Sequence, residues 1–290
     1  MQVISKISDL RETILKWREI GESIALVPTM GNLHEGHLRL VEEAHARADH
    51  VVVSIFVNPM QFTDASGSSG DFENYPRTLE ADQKKLSNLG VEVDVVFTPS
   101  IEEVYPNGFE NETRVEVPGL SDILCGAFRP GHFTGVATVV AKLFNMVQPH
   151  IAIFGEKDYQ QLLVIRRLVT DLCFPIEVVG IPTVREHDRL AMSSRNQYLN
   201  ENEREKAALI NKLLVQVKHK IEIGQDDYQE HEKDAIRQLE GVGFKPEYFS
   251  VRKSDNLQPA CPQDKDLVIL TAAWLGKARL IDNVRFKINK

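Results

Sequence analysis

Cysteine is scarce in this chain, and the three present, Cys125, Cys173 and Cys261, are far apart and form no C-x-x-C pair. That pattern argues against a disulfide framework and against a cysteine zinc site. Each cysteine is expected to be a small core residue or a surface thiol. Long apolar runs are missing too. The most apolar stretch, Val51–Val57, is far too short to span a bilayer, and the opening residues Met1 to Glu12 turn charged at once, unlike a secretory signal. The chain is therefore read as cytoplasmic, with no membrane partner. Basic charge is also in deficit: 34 Lys and Arg face 42 Asp and Glu, a formal net charge of −8. Without a broad positive field no nucleic-acid partner is expected, though a local basic pocket for one nucleotide is compatible with this balance. No internal repeat is present, and the one low-complexity patch is Ser66–Gly70.

What is present reads as an ordered α/β chain. At 290 residues it is long for one core, and two domains are expected, 1–184 and 185–290. Leu10, Ile14 and Trp17 recur at helical spacing before Gly21. Ser23–Thr29 and the β-branched run Val51–Val57 read as buried strands, with a helix from about Gly36–His37 to Ala48 between them. A helix over Thr78–Leu89, a strand over Val93–Phe97 and an apolar helix over Gly135–Val147 follow. Strand Ile151–Phe154, helix Asp158–Asp171 and strand Ile176–Val179 complete the alternation. This order predicts a parallel sheet with helices on both faces, with ligands at the carboxyl ends of its strands. After about Val184 the texture changes: a long charged helix over Asn202–Ile223, another over Tyr228–Leu239, then strands Tyr248–Val251, Leu267–Thr271 and Ala278–Ile281. A smaller C-terminal α+β domain is expected.

Four polar segments could carry chemistry. In Pro28–His37, glycines and two histidines sit where a strand runs into a helix start. Glycine lets a ligand approach the backbone, and a helix N-terminus offers free N–H groups to an anion. A phosphate cradle fits this better than a metal site, because His34 and His37 do not form H-E-x-x-H. Two histidines capping a turn is the plainer alternative. In Val57–Phe62, Asn58 and Gln61 are neutral hydrogen-bonding groups suited to hydroxyls and a carboxylate, though alone this is an ordinary polar loop. In Phe154–Gln161, Lys157 is a point charge suited to phosphate, and Gln161 lies about one turn into the helix. A solvated cap formed by Glu156, Lys157 and Asp158 is an equal reading. In Met192–Asn196, hydroxyls beside Arg195 suit di- or triphosphate, and a polar linker is the alternative. Arg129–Phe133 is a further basic loop before a helix.

Together these segments resemble the pantoate–β-alanine ligase (pantothenate synthetase) family. The likeness runs from Ala25–His37 through Val53–Phe62, Tyr75–Thr78, Arg129–Phe133, Gly155–Asp158 and Met192–Asn196 to Ala272–Asn283. One such motif would be weak; all of them in order are specific. The resemblance implies a Rossmann-like nucleotidyltransferase domain of the H-I-G-H type, a smaller C-terminal domain and a homodimer. It implies ATP, pantoate and β-alanine as substrates, with Mg2+. By position, Met30, Gly31, Asn32, Leu33, His34, Glu35, Gly36 and His37 would bind ATP, with His37 as catalytic proton donor and His34 and Lys157 assisting. Gly155, Glu156, Lys157, Asp158, Val184, Met192, Ser193, Ser194 and Arg195 would contact the nucleotide. Gln61 and Gln161 would hold pantoate, with Gln61 also at the β-alanine position. The competing readings are a nucleotidyltransferase that keeps its adenylylated product and a catalytically silent nucleotide sensor.

Two departures from the family pattern stand out. The loop between Phe62 and Tyr75 is about four residues longer and rich in Ser and Gly, and it is expected to close over bound substrates. Arg189 stands where the family pattern has glycine, and an arginine is not expected to take a positive φ.

Overall fold

Val51, Val52 and Val53 are each wholly inaccessible to solvent, as expected of a β-branched run covered on both faces. They belong to the central sheet of the protein, described here from a computed structural model over residues 1–62 and 70–288. Residues 63–69 of the lengthened loop lie outside the described residues, and with them most of the segment expected to close. The chain forms two compact units, Met1–Glu156 with Gln161–Pro182, and Lys157–Gln160 with Thr183–Lys290.

In the first unit the order is β1 (Gln2–Ile4), α1 (Ile7–Glu19), β2 (Ile24–Thr29), α2 (Glu35–His45), β3 (His50–Ile55), α3 (Gly70–Glu73), α4 (Leu79–Ser87), β4 (Val95–Phe97), α5 (Ile101–Val104), α6 (Cys125–Phe128), α7 (His132–Val147), β5 (Ile151–Gly155), α8 (Tyr159–Asp171) and β6 (Glu177–Ile181). The strands run in the order β1-β4-β3-β2-β5-β6, and every pairing is parallel. The direction of winding reverses between β2 and β5, so ligands are expected where those strands end. The edge strand β1 is absent from the sequence-based expectation, because three residues are too few to show alternation. Helix α7 starts three residues earlier than the pattern implied. Gly131, at φ +82°, turns the chain in front of it, a conformation glycine takes without strain.

The second unit holds α9 (Glu201–Ala207), α10 (Leu209–Glu222), α11 (Tyr228–Gly241) and the antiparallel strands β7 (Lys245–Lys253), β8 (Asp266–Leu275) and β9 (Ala278–Lys287). The single charged helix expected over Asn202–Ile223 is two helices that meet at Ala208. Ile210, Leu213, Leu214 and Val217 of α10 pack with Phe249, Ile269 and Leu280 of the sheet into one core. Among the described residues no helix is long and apolar enough to cross a membrane.

At the amino end of β3, His50 stacks on Trp17 with ring centroids 4.0 Å apart. Burial opposes its charged form. Hydrogen bonds to Asp94 (3.0 Å) and Glu22 (2.5 Å), with their charges, outweigh that and raise its pKa above 6.5. A raised folded pKa makes this contribution full below about pH 6.5 and lost as pH climbs through the folded value. The stability gap between wild type and His50→Gln should therefore narrow as pH rises above about 6.5. Urea titrations at several pH values measure it, and a gap independent of pH would contradict the charged-ring assignment.

Candidate active site

Strand β2 ends at Thr29, whose hydroxyl donates to the Ser54 carbonyl (2.9 Å) and accepts from the Gly31 N–H (3.2 Å). The chain then turns through Gly31 (φ +80°) and Asn32 (φ +50°). A Cβ on Gly31 would stand 3.1 Å from both Asp82 Oδ2 and Ile55 Cγ2, so this close approach needs glycine. Asp82 of α4 is fully buried. Its carboxylate accepts from the N–H groups of Asn32 and Leu33, both at 2.8 Å, and from the Thr78 hydroxyl at 3.0 Å. Lys85, one turn on, donates to the Leu33 carbonyl at 2.5 Å. One face of α4 thus grips both polarities of the turn that delivers the histidines.

His34 is the N-cap of α2. Its Nδ1 accepts from the Gly36 N–H (3.1 Å), and His37 Nδ1 accepts from the His34 N–H (3.3 Å), a reciprocal capping box. A nitrogen that accepts from a backbone N–H carries no proton, so the proton of each neutral ring is on Nε2. The rings lie 4.1 Å apart. The histidines thus cap the helix and, by the same bonds, place two protonated nitrogens at its positive end.

Gln61 is brought to the same segment, its Nε2 3.1 Å from Met30 Sδ. Asn58, whose amide would suit a ligand hydroxyl or carboxylate, is turned inward instead. It is 1 % exposed, and its amide is saturated by protein groups. Oδ1 accepts from Tyr105 Oη (2.7 Å) and the Met60 N–H (3.3 Å), while Nδ2 donates to Gln61 Oε1 and the Gly135 carbonyl, each 3.1 Å. Burial, then the Glu112 charge, pushes the Tyr105 phenol well above its ordinary range, so it stays a donor. Asn58 therefore holds Gln61 in place. From the other side, His132 Nδ1 donates to the Gln61 carbonyl (2.9 Å) and Arg129 donates to His132 Nε2 (3.2 Å). A Cβ on Gly135 would fall 2.6 Å from the Met60 carbonyl carbon and oxygen, so α7 packs directly against the backbone of this turn. Beside Met30 and Gly31 lies a cavity of about 270 Å³, lined also by Ile55, Val57, Thr78 and Asp82. Gly155 ends β5, Glu156 follows it, and Gln161 lies half-buried in the first turn of α8.

Lys157, Asp158, Val184 and Met192–Arg195 fall in the second unit. Lys157 is half-buried, with Nζ 3.9 Å from the Asp158 carboxylate. Val184 and Met192 face each other across a hairpin: the Met192 N–H donates to the Val184 carbonyl (3.0 Å), and Arg185 bridges Ala191. Ser193 caps the turn Ser194–Tyr198 through the Arg195 N–H (3.2 Å). The hairpin closes with the Arg189 N–H on the Glu186 carbonyl (2.9 Å) and the Glu186 N–H on the Leu190 carbonyl (2.8 Å). That geometry is a type I turn followed by a left-handed residue, and Arg189 takes it at φ +75°. The expectation that arginine would avoid a positive φ is overturned. The turn is braced by Arg204, which pairs with Glu186 (2.6 Å) and Asp188, and by Arg185, which donates to the Arg189 carbonyl (3.1 Å). Hydrogen bonding to Arg204 holds the Asp188 carboxyl below its ordinary range. The left-handed cost for a non-glycine residue is about 1–2 kcal/mol, partly offset by glycine's larger unfolded entropy. Arg189→Gly should therefore raise unfolding stability by about 0.5–1 kcal/mol in urea, while Arg189→Ala should not. Equal stability of the two variants would rule out strain at this position.

Sequence reasoning missed Asp82, Lys85, Tyr105 and the holding role of Asn58. For Asp82 a signal existed: it stands four residues before the buried Leu86, an acid on the inward face of a helix.

A family model described as pantoate-beta-alanine ligase matches residues 2–285. The pantothenate synthetase of Idiomarina loihiensis is 55 % identical over 285 residues, covering 98 % of each chain, and that of Shewanella oneidensis is 55 % identical over 280 residues, covering 97 % of each. The crystal structure of pantothenate synthetase from Thermus thermophilus superimposes with a TM-score of 0.89 at 44 % identity, over 98 % of this chain and 99 % of that one. A Francisella tularensis pantoate-beta-alanine ligase, solved in complex with beta-gamma ATP and beta-alanine, matches with a TM-score of 0.77 at 34 % identity, over 98 % and 97 %.

Proposed function

The chain belongs to the pantoate-beta-alanine ligase family, and from that membership we propose how its own residues divide the reaction. The chain joins pantoate to β-alanine with ATP, giving pantothenate by way of an acyl adenylate. A carboxylate is a poor electrophile, so it first needs a leaving group. The pantoate carboxylate attacks the α-phosphorus of ATP and pyrophosphate departs. The neutral amine of β-alanine then attacks the acyl carbon, the amide forms, and AMP leaves.

Little covalent chemistry is asked of the protein in the first step; it positions groups and offsets charge on the departing phosphates. Met30 to His37 bind ATP, His37 donates its Nε2 proton to phosphate oxygen, and His34 assists. Lys157, Ser193, Ser194 and Arg195 take the remaining phosphate charge, with Gly155, Glu156, Asp158, Val184 and Met192 lining the nucleotide. Gln61 and Gln161 hold pantoate, and Gln61 also meets β-alanine. The observation that carries these roles is the histidine pair, with both Nδ1 atoms bound to backbone and Gln61 against Met30 of the same segment.

Among the described residues no group of three or more His, Cys, Asp and Glu side chains is placed to hold a metal. Mg2+ is proposed to arrive on the triphosphate, since this ion is usually bound through substrate phosphates and water with few protein ligands. When bound, it would neutralise phosphate charge. Residues 1–184 are proposed as the catalytic domain and 185–290 as the smaller C-terminal domain, in a cytoplasmic homodimer.

Pantoate-dependent exchange of labelled pyrophosphate into ATP tests the reading. Exchange is expected with pantoate and without β-alanine, and AMP should appear only when β-alanine is added. A nucleotidyltransferase would keep its adenylylated product, and a silent sensor would exchange nothing.

A further inference from the structure

The dipeptide Asp282-Asn283 on β9 has no part in the roles assigned above, yet both residues are buried, at 4 % and 7 % exposure. The Asp282 carboxylate takes both guanidinium arms of Arg185, at 2.7 and 2.9 Å, together with Asn211 Nδ2 of α10 at 3.2 Å. Arg185 is the first arm of the hairpin that carries Val184 on one side and Met192 on the other. Its guanidinium also donates to the carbonyls of Arg189 (3.1 Å) and Asn283 (3.3 Å). One buried carboxylate thereby anchors the hairpin from which Ser193, Ser194 and Arg195 depart. Asn283 faces elsewhere: its Nδ2 donates to the backbone carbonyl of Lys157, at 2.9 Å. The pleat explains the division. Ala278, Leu280 and Phe286 lie on the core-facing side of β9, Asp282 shares their parity, and Asn283 points to the opposite face.

We propose that Asp282 and Asn283 are positioning residues for the adenylate-forming step, holding the Lys157 turn and the Val184–Arg195 hairpin on one rigid strand. This rests on the reading that Lys157 and Met192–Arg195 handle the triphosphate. A salt bridge that served stability alone would have no reason to spare one half-reaction; a positioning pair affects the step in which the triphosphate reacts.

Asn283→Ala in the full-length protein is the first test, because it removes the hydrogen bond to the Lys157 carbonyl and leaves the buried Arg185–Asp282 ion pair intact. Pantoate-dependent pyrophosphate exchange should show KM for ATP raised or kcat lowered by roughly five- to tenfold, the worth of one hydrogen bond. Conversion of preformed pantoyl adenylate by β-alanine should stay within about twofold of wild type. In a Lys157→Ala background, Asn283→Ala should add almost nothing, since it acts through Lys157. Arg185→Lys, which loses the two-armed grip on Asp282, should show the same bias toward the first half-reaction. Equal losses in both half-reactions, or additive losses in the double variant, would refute the positioning role. If Lys157→Ala impairs exchange and Asn283→Ala does not, this proposal alone fails. If Lys157→Ala itself spares exchange, the phosphate role of Lys157 falls, and this inference with it.

Discussion

Replacing His37 by alanine is expected to cut adenylate formation by about a hundredfold or more, the usual effect of removing one preorganised donor from developing charge. The size follows from the site's arrangement. His37 Nδ1 is tied to the His34 N–H at 3.3 Å, so the proton sits on Nε2 at the N-terminus of α2, where dipole and ring act together on an anion. The same bond is half of the capping box, and its loss should cost about 0.5–1.5 kcal/mol of stability. The two effects separate by measurement: urea unfolding reads the cap, and pantoate-dependent pyrophosphate exchange reads the donor. Conversion of preformed adenylate should fall much less than exchange. Turnover near wild type in a folded His37→Ala enzyme would remove His37 from the chemistry.

The second large effect is expected at Asp82, which makes no claim on substrate. Its carboxylate is fully buried and accepts from two backbone N–H groups and one hydroxyl. Asp82→Ala strips all three of their acceptor, and each buried donor left unpaired costs about 1–3 kcal/mol. A loss of several kcal/mol is thus expected, a large part of the stability of an ordinary domain. Asp82→Asn keeps one acceptor oxygen but turns an NH2 toward the remaining donors, so it should fall between. Activity should follow in order, because Asn32 and Leu33 lead straight into His34. The KM for ATP should rise in the milder variant before pantoate use is affected. An alanine variant within about 0.5 kcal/mol of wild type would mean that the turn finds other partners.

Most of the local organisation of the first unit was readable in the chain, while the three-residue strand β1 and the break at Ala208 were not. The strand-to-helix alternation, the buried valines of β3 and the histidine pair at a helix start depend on residues within about ten positions of each other, and periodicity and turn chemistry report on that range. Arg189 marks the limit of local rules. Its residue type argued against the left-handed turn, but Arg204 braces that turn through Asp188, 16 positions away, Arg185 holds the Arg189 carbonyl, and the backbone takes φ +75° regardless. The supports of the site were decided only in three dimensions. Asp82 reaches its turn across 50 positions, Tyr105 reaches Asn58 across 47, and Asp282 reaches Arg185 across 97. The reason is physical. A buried polar side chain is identified by its partner, and here the partners are either side chains tens of positions away or backbone N–H and carbonyl groups, which nearly every residue supplies alike. Composition can therefore mark the groups that meet a ligand, while the groups that hold them still become visible only once the chain has folded.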